Sequence, residues 1–472
     1  MMNHSQKKPV REFIESARQL LTARLQKGDV GGFTCTTFLR EIHTASLFNG
    51  ELHSKAPVQL NTPFEIQVSL ILPEDKSVGF SLGAVSLPLF SKMLDFALSR
   101  AVTLEHQIKL RRQESYPEFK LASDQLLELF HAGADSEVLL RILQKLEKLA
   151  AQINHPRLMN RETNVSFSSC DKVYFDSTGN LAQEFSASCS AGCSFSLEDT
   201  TESHSDVFGI LPDEDDLRAI VEEASKNLIV SKVQPLDSAT QLPVLLTHKA
   251  VIDLLDQLVM PNLDTRTLID KTGAWELDHI GQVVLERLSI EDNPHLEGSP
   301  FSAFFDFEGT PTRPVKILDT GRLLHPLMTS AMLEEIEDMR PEWKGKFALT
   351  GHAESSNSAS FTNVIYKIDC PAIDTVKERS YIQIQNLTGM SLDPLTGQFA
   401  LDAEGAKVIV DGVLQYSTSL TLRGNFFHAI AHESTRTGAS ARHYNQWAPS
   451  LYTRALNCVS KELAQNFEDL QN

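Results

Sequence analysis

Residues 381–424, YIQIQNLTGMSLDPLTGQFALDAEGAKVIVDGVLQYSTSLTLRG, constrain the fold more than any other part of the chain. Apolar and polar residues alternate along this stretch. Turn-forming groups at Asp393-Pro394-Leu395-Thr396-Gly397, Glu404-Gly405 and Asp411-Gly412 interrupt it. Turns every ~8–12 residues between alternating segments belong to a β-rich sandwich or barrel, because each short strand must find its neighbours in a sheet. FDFEGTPTRPVKILDTGRLL and FTNVIYKI, just upstream, have the same strand-like texture. VLLTHKAVIDLLDQLVMPNL reads as an apolar strand followed by a helix that Pro261 ends. A further helix is expected over residues 425–433, and another near the C-terminus.

The first half is patterned differently. Phe13, Ile14, Ala17, Leu20, Leu21 and Leu25 recur at helical spacing, so a helix is predicted over residues 10–25, ended by Gly28, Gly31 and Gly32. Residues 33–72 read as antiparallel strands, residues 87–110 as helical, and two helices are predicted within 120–153. VSFSSCDKVYFDSTGNLAQEFSASCSAGCSFSLED then predicts a hairpin or three-strand meander that turns at residues 176–180. There Asp176, Ser177 and Gly179 suit a turn better than catalysis. The fold class is α+β, with an N-terminal helix and antiparallel-strand domain (1–235) and a β-rich C-terminal domain (236–472).

At 472 residues the chain has room for two or three domains. Its 43 Lys and Arg against 62 Asp and Glu leave a net charge of -19, a surface that repels phosphate backbones, so no nucleic-acid partner is expected. Ten carboxylates against Arg218 alone among the Lys and Arg of residues 198–223 read as a surface excursion and a solvated helix. No apolar run approaches the ~20 residues that span a bilayer, and no secretory signal is recognisable, so the expectation is a cytoplasmic protein with no membrane partner. Six cysteines in a chain of this length suggest reduced, mostly buried thiols rather than a disulfide framework.

Several chemistries lack their motifs. There is no GxSxG, no GxxxxGK[ST] loop and no GxGxxG. Cys189 and Cys193 would share a strand face, but no second pair completes a zinc site. His428 and His432, four apart in FFHAIAHES, have spacing competent for a divalent metal on one helical face. A third ligand would have to come from elsewhere, because Glu433 points about 100° away on the same helix. Packing at a helix surface is the simpler role for both histidines.

The order and wording of the second half resemble the TldD/PmbA family, associated with peptide maturation and historically called modulators of DNA gyrase. The matching phrases are LPVLLTHKAVIDLLDQLV, SIEDNPHLEGSPFSAFFDFEGTPTRPVKILDTGRLLHPL, TGH with FTNVIYKI, and LTGMSLDPLTGQFALDAEGAKVIVDGVLQYSTSLTLRGNFFHAI; LFNGELHS and VGFSLGAVSLPLFSKMLDFAL extend the likeness into the first half. The resemblance implies one of two branches. In the TldD-like branch an HExxxH helix supplies two histidines to a metal and a glutamate to activate water, and a later cysteine completes the site. In the branch of PmbA and TldE the motif is absent, and the chain pairs with a catalytic partner.

Set against the family's LLHEAVGHGL, the segment LLDQLVMPNL puts Asp256 and Gln257 where the first histidine and the glutamate would stand, and Pro261 at the second histidine. Proline has no ligating side chain and a glutamine is no base at neutral pH. TGASARHYNQWAPSL, roughly the cysteine segment, holds no cysteine. The resemblance therefore implies no catalytic residues and no metal in this chain. It implies zinc in a TldD-like HExxxH paralogue forming a heterodimer with it, and an unfolded peptide as substrate.

Asp306 and Glu308, two apart, would face one side of a strand and could order a loop or bind a peptide amine, with Gly309 turning between strands. Asn363 could bond a peptide backbone or cap its own strand. The competing readings are a self-sufficient metallopeptidase using His428 and His432, and a non-proteolytic protein that pairs with itself as a homodimer.

Overall fold

The computed structural model describes residues 4–52, 58–72, 76–100, 102–103, 135–197, 201–225, 228, 234, 242–355, 357–374 and 377–460. The helix predicted between 120 and 134, the helical run past residue 103 and the C-terminal helix beyond 460 lie outside these residues. Contacts divide the chain into two compact units. One comprises Met1–Leu228, Pro294–Arg313 and Met328–Ser360; the other comprises Ile229–Asn293, Pro314–Leu327 and Phe361–Asn472.

The first unit is built on an antiparallel sheet. Its strand order is Val102–Thr103, Lys76–Leu82, Phe64–Leu72, Gly32–Phe48, Asn160–Asp176, Leu181–Ser196 and Thr201–Phe208. Side chains alternate across a strand, so Phe33, Cys35, Ala45 and Leu47 fall on one face. Helices His4–Gln26 and Leu87–Leu98 cover that face over Phe33, Ile66, Val68 and Phe175. Helices Ser136–Ala150 and Glu214–Ser225 cover it over Val165, Phe167, Cys189, Cys193 and Phe195. On the opposite face, Tyr174 and Ala182 pack against Phe305, which comes from the returning segment Pro294–Arg313.

Local readings change in three places. The helix from Leu87 ends at Leu98, where the Ser99 hydroxyl donates to the Phe96 carbonyl, and Val102–Thr103 pairs as a strand with Lys76 and Ser77. The acidic run expected as a surface excursion contains the strand Thr201–Phe208, held by Ser196 to Cys189. The helix that follows it is amphipathic, burying Leu217, Ile220, Val221 and Ala224.

The second unit holds a mixed sheet. Its order is Arg322–Leu323, Val315–Asp319, Leu288–Asp292, Val364–Ile368, Gln446–Thr453, Val244–Leu246, Tyr381–Ile384, Gln398–Val410, Val413–Asn425 and Asn457–Ser460. Val244–Leu246 runs parallel to Tyr381–Ile384, and Val364–Ile368 parallel to Gln446–Thr453; the other pairs are antiparallel. Helix His248–Leu258 packs on the Gln446–Thr453 strand and buries Ala250, Val251, Leu254, Leu255 and Leu258. Among the described residues no helix is long and apolar enough to cross a membrane.

Candidate functional site

Helix His248–Leu258 is placed by its apolar stripe, which leaves Asp253, Asp256 and Gln257 off the core side. Pro261 does not simply end it. The break falls at Val259, and Pro261 sits in the first turn of a second short helix, Met260–Leu263, where a missing N–H costs nothing.

Asp256 is solvent-exposed, yet both its oxygens are taken. Oδ1 accepts from the Tyr366 hydroxyl at 3.3 Å and Oδ2 from the Gln446 side-chain amide at 2.7 Å. Crowding by neighbouring atoms raises its carboxyl pKa, and those two bonds pull it back. The exposed surface shows that the crowding leaves the carboxylate partly hydrated. Asp253, one turn earlier, is pushed up to about 6, first by burial, against the pull of Lys249. Gln257 turns its amide back onto the Asp253 carbonyl at 3.1 Å. Gln446 lies in the segment that the resemblance matches roughly with the family's cysteine region, so one hydrogen bond joins that segment to the Asp256 helix.

These residues do not fit a zinc site. Asp256 has both oxygens engaged, Pro261 has no ligating side chain, and the Gln257 and Gln446 amides are weak metal ligands. Among the described residues no three His, Cys, Asp or Glu side chains come together as a metal-holding group.

His428 and His432 do not share a helical face. The helix runs Phe426–Ala431, and His432 leaves it in extended conformation. The rings still approach, with centroids 5.2 Å apart, and His432 Nδ1 bonds the Ser434 hydroxyl at 2.8 Å and accepts the Ser434 main-chain N–H at 3.1 Å.

In the first unit, Asp306 and Glu308 stand on a tight turn rather than a strand. The turn is closed by a bridge between Phe305 and Pro311. Asp306, 7% exposed, accepts main-chain N–H bonds from Glu308, Thr310 and Ala353, at 2.9, 2.8 and 2.9 Å. Burial pushes its carboxyl up to about 6 against the pull of those donors. Glu308 accepts from the Ser330 N–H and hydroxyl, both at 2.9 Å, at the start of helix Ser330–Met339. Gly309 has φ +70°, and a Cβ there would come within 2.2 Å of the Tyr174 ring. Only glycine combines that backbone with that approach. In the second unit Asn363 is fully buried and donates to the Asn293 carbonyl at 2.9 Å, bracing the start of its own strand.

Sequence reasoning missed Tyr366 and Gln446, which reach Asp256 from strands 110 and 190 residues away in the chain. No local spacing carries that signal. It also missed Lys172, which donates to the Phe305 carbonyl at 2.7 Å and lies over the Phe305 ring.

Fold and site together define an α+β protein in which, among the described residues, no metal-holding group forms around Asp256. Residues 239–460 match the model of the PmbA/TldA metallopeptidase C-terminal domain. The metalloprotease PmbA homolog of Haemophilus influenzae is 27% identical over 315 residues, covering 63% of this chain and 64% of that protein, a little under two thirds of its length. A Bacteroides thetaiotaomicron protein described as a modulator of DNA gyrase superposes at TM-score 0.74 and 15% identity, covering 98% of this chain and 100% of that one. TldE from Thermococcus kodakarensis superposes at 0.73 and 15%, covering 94% and 99%. The match to the family is carried by residues 239–460, and the likeness in fold extends over nearly the whole chain.

Proposed function

We propose that this chain is the PmbA/TldE-like, non-catalytic subunit of a TldD/TldE-type metalloprotease of the cytoplasm. It lines part of a peptide-binding chamber and leaves hydrolysis to a zinc-bearing HExxxH partner. One observation carries this reading: at the family's metal position the two motif segments still meet, but as Asp256 bonded by Gln446 and Tyr366, beside Gln257 and Pro261. A carboxylate held by an amide and a phenol can shape a polar wall. With Gln257 in place of the glutamate, that position itself offers no base to take a proton from water. An unfolded peptide can gain main-chain hydrogen bonds at strand edges largely without regard to its side chains, which suits a subunit that holds and a partner that cuts.

The test is co-expression with an HExxxH paralogue, followed by a peptide-cleavage assay of each chain and of the pair. The expected result is co-purification and chelator-sensitive cleavage by the pair, with none by this chain alone. Cleavage by the lone chain, lost on His432→Ala, would establish the self-sufficient metallopeptidase instead. A chain that pairs only with itself and never alters cleavage would establish the homodimeric binding protein.

A further inference from the structure

In the second unit a cavity of about 660 Å³ opens where the chain before Tyr381 crosses the strand Arg436–His443. Main-chain bonds fix the crossing: the Ile373 N–H donates to the Thr437 carbonyl at 2.9 Å, and the Thr437 N–H to the Pro371 carbonyl at 3.0 Å. The strand is bulged at this point, because Thr437 stands opposite Leu451 and Ser440 opposite Pro449, with Gly438 and Ala439 between them. A Cβ on Gly438 would stand 2.2 Å from the Ser450 hydroxyl oxygen, so glycine in the bulge keeps that hydroxyl open to the cavity.

Glu378 and Arg379, adjacent in the chain, both line the cavity. The hairpin turn at Asp411-Gly412 holds the arginine: Nη2 donates to the Asp411 carbonyl at 2.6 Å, and the Arg379 carbonyl accepts the Gly412 N–H at 2.8 Å. The other guanidinium N–H groups remain, and among the described residues no carboxylate pairs with their charge. Glu378 accepts the Tyr452 hydroxyl at Oε2, which leaves Oε1 without a donor among the described residues. Burial, and then that bond, pushes the phenol up to about 12, so it remains the donor. The Tyr381 and Ser450 hydroxyls also face the cavity, and among the described residues neither has a hydrogen-bond partner. Leu245, Ile373 and Ala439 supply apolar wall.

We infer that this cavity binds an apolar amino acid, free or at the end of a short peptide, as the zwitterion: its carboxylate on Arg379, its ammonium on Glu378 Oε1, and its side chain against Leu245, Ile373 and Ala439. The wall sets that charge pattern. A guanidinium with no counter-ion matches a planar carboxylate through paired N–H groups, and an acid with one oxygen open takes an ammonium. A polyanion would put its further charge against Glu378. The volume lies within the ~300–1,000 Å³ of ligand sites and holds about two or three residues. The inference goes beyond the proposed subunit role, and its test uses this chain alone.

The experiment is a methyl NMR titration of the full chain, read at the Ile373 δ1 methyl, with leucine and with Ala-Ala-Leu carrying free termini, each to about 10 mM. At least one probe should shift that resonance saturably, with a dissociation constant of about 1 mM or tighter. Amidating the carboxylate of the bound probe should weaken it about fivefold or more, as should Arg379→Gln, and in that variant amidation should add nothing. Glu378→Gln and N-acetylation should form the same pair. Ala439→Trp, at an exposed position in the wall, should abolish the shift. Each variant must first melt with the parent, and the capped probes carry the test on the parent chain where one does not. Tighter binding of leucine names a free amino acid as the source and tighter binding of the tripeptide names a peptide end; either supports the site. No saturable shift with either probe, or binding indifferent to amidation, overturns the inference.

Discussion

Two aspartates, one in each unit, secure their carboxylates by different means. Asp306 is buried and held by three main-chain N–H groups, two of them from its own turn. Asp256 is exposed and held by two side chains from separate strands of its sheet. Main-chain donors stay whatever side chain they carry, so a carboxylate bonded to them is part of how the segment folds. Side-chain donors can be exchanged one at a time while the strands beneath stay paired. The contrast separates an acid that builds the scaffold from an acid that occupies a position on it.

The contrast is most exposed to failure at Asp306. Asp306→Ala leaves three buried N–H groups without an acceptor and should cost about 3–5 kcal/mol of stability, read by urea unfolding. A loss below about 1 kcal/mol would mean that the turn does not depend on its carboxylate and that the comparison has no basis.

Asp253 gives a smaller effect with a defined sign. Its folded-state pKa, about 6, lies above the ordinary carboxylate value, so the native state favours the protonated acid. The stability this confers is fully present below the unfolded pKa and is lost as pH rises through about 6. Asp253→Asn should therefore melt higher than the parent at pH 7.5 and together with it near pH 4, by calorimetry across that range. Parallel curves at every pH would place Asp253 in an ordinary solvated setting.

The smallest change is expected at Gln446. Gln446→Ala should shift stability by no more than about 1 kcal/mol, because it removes a solvent-facing bond. It should also raise the Asp256 pKa further, since the amide bond now lowers it. Carboxyl NMR titration would show this. A large loss of stability would make Asp256 as structural as Asp306.

Much of the fold was legible in local chemistry. The turn at 176–180 was visible because an Asp-Ser-Thr-Gly-Asn run satisfies its own backbone: Asp176 accepts from the Thr178 and Asn180 N–H groups. The helix His248–Leu258 was visible in its apolar stripe. His432 was misread because four-residue spacing implies a shared face only while the helix lasts, and this one ends at Ala431. Asp306 and Glu308 were misread as strand neighbours because alternation cannot distinguish a short strand from a turn of the same letters.

Residue identity alone settled that Pro261 offers no ligand and Gln257 no base in any conformation. Three-dimensional packing decided what those positions do instead. Tyr366 and Gln446 meet Asp256 across 110 and 190 residues of chain, and contacts at that separation depend on sheet order and register, which no window along the sequence contains.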